Sequence, residues 1–322
     1  MKKMPVFLLF AVAAMAVSSC AKESAVQTPS KGTPIQIVVG NPEDAVVYGD
    51  ETKVSWRVAR NPKWDAGDAF QLFSHKKAAN LLTDWGAFVT EDGSVTSGTS
   101  NATFSGYKPE GFTKSEGGDS FTAIAKNASN SSYTLFADGD RYAFNMNIPA
   151  VQDGTGLKYS LLGCAPSFDE GLSAFSNCSF NVKSALCALT LPAGVNVKTI
   201  TITLGYENEE SAAGQFLASN GTNQDLKWKA TDFTCLGGGG SKTVTITKGG
   251  ELLPEGTPIY WACIRTQSNS KDYGLAKLTF QFINDADKVA TKVANIPSGR
   301  NVTVGTKLNN FGTIAITAAD FE

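Results

Sequence analysis

Val197-Lys198-Thr199-Ile200-Thr201-Ile202-Thr203-Leu204 decides the fold class. Ile200, Ile202 and Leu204 recur at every second position, and the threonines fill the positions between them. A period of two places successive side chains on opposite faces of a pleated strand, so this run has one dry face and one wet face, as in a half-buried sandwich strand.

The text on either side keeps the same style. Downstream, Gly237 to Gly240 is a flexible loop before Thr243-Val244-Thr245-Ile246, and Gly249-Gly250 turns into Pro258-Ile259-Tyr260-Trp261-Ala262. Leu278, Phe280 and Phe282 share one face of a further strand, and Val302 to Leu308 and Gly312 to Ile316 close the chain. Upstream stand Phe180-Asn181-Val182 and Ala185 to Leu191. Before them, the Pro/Ser/Asp/Glu/Gly-bearing stretch from Ala165 to Asn177 reads as a domain boundary.

The N-terminal half offers strands at Ile35 to Val39, Lys53 to Val58, Ala69 to Phe73, Ala87 to Val89, Ala102 to Ser105 and Phe121 to Ala125. Asp138-Gly139 joins Tyr133 to Ala137 with Arg141 to Met146 as a tight hairpin. Asp92-Gly93 and Asp153-Gly154 repeat the dipeptide, which predicts a hairpin-rich sheet. The one helical possibility is Lys76 to Trp85, where Ala78, Leu81 and Leu82 fall at helical spacing without a clear cap. Glycine is frequent, at 31 residues, and long Ala/Leu/Glu/Lys windows are missing. The chain therefore reads as all-β, with a length that suits two sandwich domains of about 150 residues each.

The first twenty residues carry a different message. Met1-Lys2-Lys3 is a short basic region, and Val6 to Val17 is apolar but too short for a permanent membrane span. Ala16-Val17-Ser18-Ser19-Cys20 then ends it with small residues before a cysteine. This is the pattern of a bacterial lipoprotein signal, in which Cys20 takes the lipid and becomes the first mature residue. The expected organisation is a signal at 1–19, a polar tether at 20–34, an N-terminal domain at 35–170 and a C-terminal domain at 171–322. The protein would be tethered to a membrane by its lipid, with its body outside the cytoplasm. The net charge of -2, with acids and bases interspersed, argues against a nucleic-acid partner.

Five cysteines follow Cys20: Cys164, Cys178, Cys187, Cys235 and Cys263. None forms a Cys-x-x-Cys pair, and an odd number leaves at least one free. Their apolar surroundings read as buried thiols, with one disulfide as the alternative. His75 is the only histidine and reads as a surface residue, so neither a histidine-based zinc site nor a serine triad with a spare histidine is supported. Asp138 with Asp140, and Asp285 with Asp287, read as turns rather than a calcium loop, and Glu207, Glu209 and Glu210 as a solvated loop rather than a glycosidase pair. No cofactor motif is present, and enzymatic function ranks last. Trp228, between Lys227 and Lys229, is the tryptophan expected at the surface and the candidate for stacking on a sugar ring.

Several short elements, in order, resemble the fimbrillin-like surface lipoproteins of the Bacteroidales. They are the lipoprotein signal, Trp64-x-x-Gly67-Asp68 before a strand, Ile148-Pro149-Ala150-Val151-Gln152, Phe180 to Leu191, Ala213-Gly214 and Gly299-Arg300-Asn301. The resemblance implies two transthyretin-like β-sandwich domains and a role as a fimbrial (pilus) subunit or pilus-associated adhesin, with neighbouring subunits or surface ligands as partners. It also implies that an arginine-specific protease removes an N-terminal strand and that a neighbouring subunit supplies the replacement. Arg57 and Arg60, after the first strand, stand where such a cut would fall. The alternative is a surface glycan-binding sandwich, which requires exposed aromatic side chains on one face.

Overall fold

The computed structural model describes residues 32–39, 64, 66–76, 81–91, 102–114, 119–125, 133, 135–138, 141–156, 159–207, 217–219, 226–230, 233, 235–238, 240–264, 276–295 and 308–322. The signal, Cys20, the expected strand at 53–58, Arg57 and Arg60 lie outside them, as do Ala213-Gly214 and Gly299-Arg300-Asn301.

The described chain is built of strands. They are β1 (Thr33–Val39), β2 (Ala69–Lys76), β3 (Leu81–Thr90), β4 (Ala102–Lys108), β5 (Asp119–Ala125), β6 (Leu135–Asp138), β7 (Arg141–Asn145), β8 (Val151–Gln152), β9 (Leu162–Cys164), β10 (Ser167–Asp169), β11 (Ala174–Ser176) and β12 (Asn181–Val182). They continue as β13 (Ala185–Thr190), β14 (Val197–Tyr206), β15 (Ala218–Ser219), β16 (Leu226–Lys229), β17 (Cys235–Gly238), β18 (Gly240–Ser241), β19 (Thr243–Thr247), β20 (Pro258–Cys263), β21 (Ala276–Asn284), β22 (Val289–Asn295) and β23 (Leu308–Thr313). The fold is all-β, as the alternation predicts; a short 3-10 turn at Ala318–Asp320 is the one helical element described.

A seven-stranded sheet, in the order β1-β4-β3-β2-β5-β9-β12, carries the N-terminal half. Its inner face is aromatic. Trp64 meets Phe104 and Phe180 edge-on, and Trp85 stands against Phe112, Phe121, Phe168 and Phe175. The C-terminal half forms a five-stranded sheet, β22-β21-β14-β19-β8, and a three-stranded sheet, β20-β13-β23. Between them Ile200, Ile202, Leu204, Val244, Ile246, Phe280, Phe282 and Trp261 make a second core. β14 supplies the face read from its isoleucines, while Thr199, Thr201 and Thr203 stay partly solvated.

The third core joins the halves. A four-stranded sheet, β17-β16-β7-β6, takes two strands from each half; Phe144 and Trp228 from it, with Phe233 between β16 and β17, pack with Phe73 of β2 and Ile124 of β5. β2 and β5 are consequently buried on both faces: Leu72 and Ala123 enter the first core, Phe73 and Ile124 the third. Central strands of this kind lose the clean alternation seen in half-buried ones.

Three local readings change. The described residues of the window Lys76 to Trp85 are strand rather than helix: β2 runs through Lys76, β3 begins at Leu81, and the two residues pair antiparallel. Tertiary pairing along a sheet outweighs a short window of helical spacing. The first strand starts at Thr33, two residues earlier than expected. The loosened stretch from Ala165 to Asn177 is itself a hairpin, β10 against β11, with Phe168 and Phe175 in and against the first core, so position 170/171 falls in its turn. The hairpin expected between β6 and β7 is present, with Asp138 opposite Arg141. Asp153-Gly154 is a turn but joins no hairpin, since β8 pairs parallel with β19.

Candidate functional site

Among the described residues β1 is the edge strand of the seven-stranded sheet, and it pairs antiparallel with β4 over its full length, from Thr33 opposite Lys108 to Val39 opposite Ala102. Its side chains alternate strictly. Ile35, Ile37 and Val39 are buried in the first core with Phe104 and Ala102, while Gln36 and Val38 face outward, Val38 at 67% exposure. β1 is thus held by a seven-residue ladder and three apolar plugs.

The middle of β1 is tied down by polar groups. Gln36 Nε2 and Ser105 Oγ both donate to Glu91 Oε1, so one carboxylate at the end of β3 gathers β1 and β4. Pro34, Gln36, Glu91, Ser105 and Tyr107 line an open cleft of 730 Å³ on this outer face. Just inside it, the Trp-x-x-Gly-Asp element folds as a turn. Gly67 has φ +88, a left-handed conformation suited to glycine, and its N–H donates to Thr90 Oγ1 at 2.7 Å while Thr90 N–H donates to Asp68 O at 3.0 Å. Trp64 is buried at the head of this turn.

The Ile-Pro-x-x-Gln element is a seam. Ile148 N–H donates to Ser219 Oγ and Ile148 O accepts from Ser219 N–H. Gln152 is buried, and its carboxamide acts as a short strand toward β20: Nε2 donates to Ala262 O at 2.7 Å and Oε1 accepts from Ala262 N–H at 2.9 Å. The same Nε2 donates to Pro149 O at 3.0 Å. Nothing in the spacing of Ile148 and Gln152 reveals this role.

Trp228 is a correction. It is 1% exposed, stands opposite Phe144 where β16 pairs with β7, and aims its indole N–H at Met146 O, 3.4 Å away. Lys227 and Lys229 take the wetter face and Trp228 the dry one, which is the ordinary alternation of a strand. Trp64, Trp85 and Trp261 are also buried, so among the described residues no tryptophan offers a surface platform. His75 is half-buried rather than fully exposed, with its ring 3.9 Å from that of Tyr142. Asp287 sits in a left-handed turn and pairs with Lys198, in keeping with the turn reading. Among the described residues no group of three metal-ligating side chains converges.

The five downstream cysteines are free thiols, four of them buried and Cys235 partly exposed. Burial pushes the Cys178 thiol up to about 12 and raises Cys164 further, with Cys178 adding to the effect. These are unreactive core groups rather than nucleophiles.

No family model matches the chain, and no curated protein matches it. Among solved structures it is similar to a protein of Bacteroides fragilis described as a candidate cell adhesion protein, at 13% identity and a TM-score of 0.43, over 90% of this chain and 95% of that one. A candidate cell adhesion protein of Bacteroides ovatus gives 12% identity and 0.43, over 88% and 93%. A fimbrial assembly protein of Parabacteroides distasonis gives 10% identity and 0.30, over 82% and 98%.

Proposed function

We propose that the chain is a surface lipoprotein that serves as a fimbrial subunit or pilus-associated adhesin and is joined to its neighbours by β-strand addition. The observation that carries this reading is β1, an edge strand whose three inward side chains fill an apolar groove beside β4. Fully burying one such side chain contributes ~1.5–3 kcal/mol, so the three together contribute on the order of 5–9 kcal/mol. Removing β1 would bare that groove and the outer hydrogen-bonding groups of β4, and an incoming strand of the same alternation would satisfy both.

On this reading Cys20 carries the lipid that places the protein on the outer membrane, and Arg57 or Arg60 is the processing point behind β1. The chain divides into two transthyretin-like sandwich units. We place the division between them at the hairpin β10–β11, around 170/171, with Phe168 and Phe175 packing in and against the first core. The glycan-binding alternative has lost its candidate residue with the burial of Trp228.

The test is to treat the mature protein with an arginine-specific protease and then offer a labelled peptide of Thr33–Val39. A cut at Arg57 or Arg60, followed by uptake of the peptide and by denaturant-resistant oligomers, is expected. The peptide with Ile37→Asp should not enter. A cut protein that stays monomeric and takes up neither peptide, or takes up both equally well, refutes strand addition.

A further inference from the structure

Cys187 on β13 and Cys263 on β20 project from the same side of an antiparallel pair. Cys187 lies opposite Trp261 and Cys263 opposite Ala185, so the two are diagonal neighbours. Their Sγ atoms are 3.7 Å apart and share a thiol hydrogen bond, and both residues are almost completely buried, at 0% and 1% exposure. A disulfide has its sulfurs about 2.05 Å apart, so each sulfur has to move by less than about 1 Å. Rotation about χ1 supplies movement of that size, and the bond also requires the β13 and β20 backbones at this diagonal to stand within the Cα spacing a disulfide spans.

The geometry points to Cys187 and Cys263 as an oxidation site whose product is a disulfide between β13 and β20. This inference draws on the reading of the chain as exported, because an oxidising compartment supplies the partner for the reaction. The thiolate of one cysteine attacks a disulfide-bearing oxidant and releases one of its thiols, leaving a mixed disulfide. The second cysteine, as thiolate, attacks the protein sulfur of that mixed disulfide and releases the other thiol. Two protein thiols are oxidised, one disulfide of the oxidant is reduced to two thiols, and the two protons pass to solvent and the departing sulfurs.

Burial sets the timing. With both sulfurs enclosed, Cys187 is held far above the ordinary thiol range, first by desolvation and then by its neighbour Cys263, so the folded core resists attack. The bond forms while β20 is closing on β13, and the finished core then shields it from reductants. The two residues are 76 apart in sequence, so the bond also closes a long loop and restricts the unfolded chain.

The experiment is to refold the mature protein from urea in buffer containing glutathione disulfide, and separately under reductant, then block free thiols and map the peptides. The expected result is a protein lighter by two hydrogens before blocking and carrying two fewer blocking groups after it, with a cross-linked peptide pair holding Cys187 and Cys263. The urea midpoint should be higher than under reductant, and Cys187→Ala should lack both signatures. Because the wild-type map alone identifies the bond, the result does not depend on that variant folding. Full alkylation of both thiols after oxidative refolding, or a bond only between other cysteines, overturns the inference and leaves the export reading standing. Bond formation in vitro, with both thiols reduced in protein taken from cells, supports the bond and counts against export.

Discussion

Replacing Gln152 by methionine should weaken the C-terminal core more than any change in apolar volume accounts for. Among the described residues β20 is the last strand of its sheet, and at Ala262 its outward N–H and C=O are met by the Gln152 carboxamide. Both groups belong to a residue with no solvent exposure. Methionine keeps the unbranched length of glutamine and fills the same space, but it satisfies neither group. A buried main-chain group left unpaired costs ~1–3 kcal/mol, and two such groups, offset by the burial no longer required of the amide itself, give an expected loss of ~2–4 kcal/mol. Urea denaturation measures it as a lower midpoint with an unchanged slope. Hydrogen exchange supplies a local readout, since the Ala262 amide should lose protection before its neighbours in β20. A loss below ~0.5 kcal/mol with the Ala262 amide as protected as in the parent would refute the reasoning.

Glu255 accepts the N–H groups of Asn196, Gly194 and Val195 within one turn, and those bonds hold its carboxyl below its ordinary value. A depressed folded-state value means that the stabilisation is present above the unfolded carboxylate range and is lost as pH falls through the folded one. Glu255→Gln should therefore be less stable than the parent at neutral pH and converge with it in acid, as followed by thermal melts across pH. A thiol reagent applied to native protein should label Cys235 ahead of Cys164, Cys178, Cys187 and Cys263, with all becoming reactive on unfolding; ready native labelling of the buried four would contradict their placement. Trp228→Ala should lower stability by ~3–5 kcal/mol through loss of a buried indole, and it should do so in urea denaturation whether or not any glycan is present.

How legible each feature was depended on whether its cause is local. The alternation of Val197 to Leu204 needs only a period of two and one apolar face, and β14 forms with that face inward. The same logic locates β1 to within two residues and the β6–β7 hairpin at its Asp-Gly turn. Trp228 was legible in principle, since Lys-Trp-Lys is the alternation of a strand with one dry position, but its chemistry drew attention away from its period. The window from Lys76 to Trp85 misled because Leu81 and Leu82 keep helical spacing with Ala78, while pairing between β2 and β3 decides their conformation.

The all-β class follows from neighbouring residues, since the alternation, the turn dipeptides and the apolar spacing are local properties. The order of residues 1–20 likewise carries the pattern expected of an export signal ending at Cys20. Tertiary structure alone decided that β1 lies at a sheet edge, because an edge is a relation among strands distant in sequence. It alone placed Gln152 against Ala262 and Cys187 beside Cys263, 110 and 76 residues apart. The physical reason is the same in each case: a strand declares which of its faces is dry, but only packing of the whole chain determines which strand, amide or thiol stands on the other side.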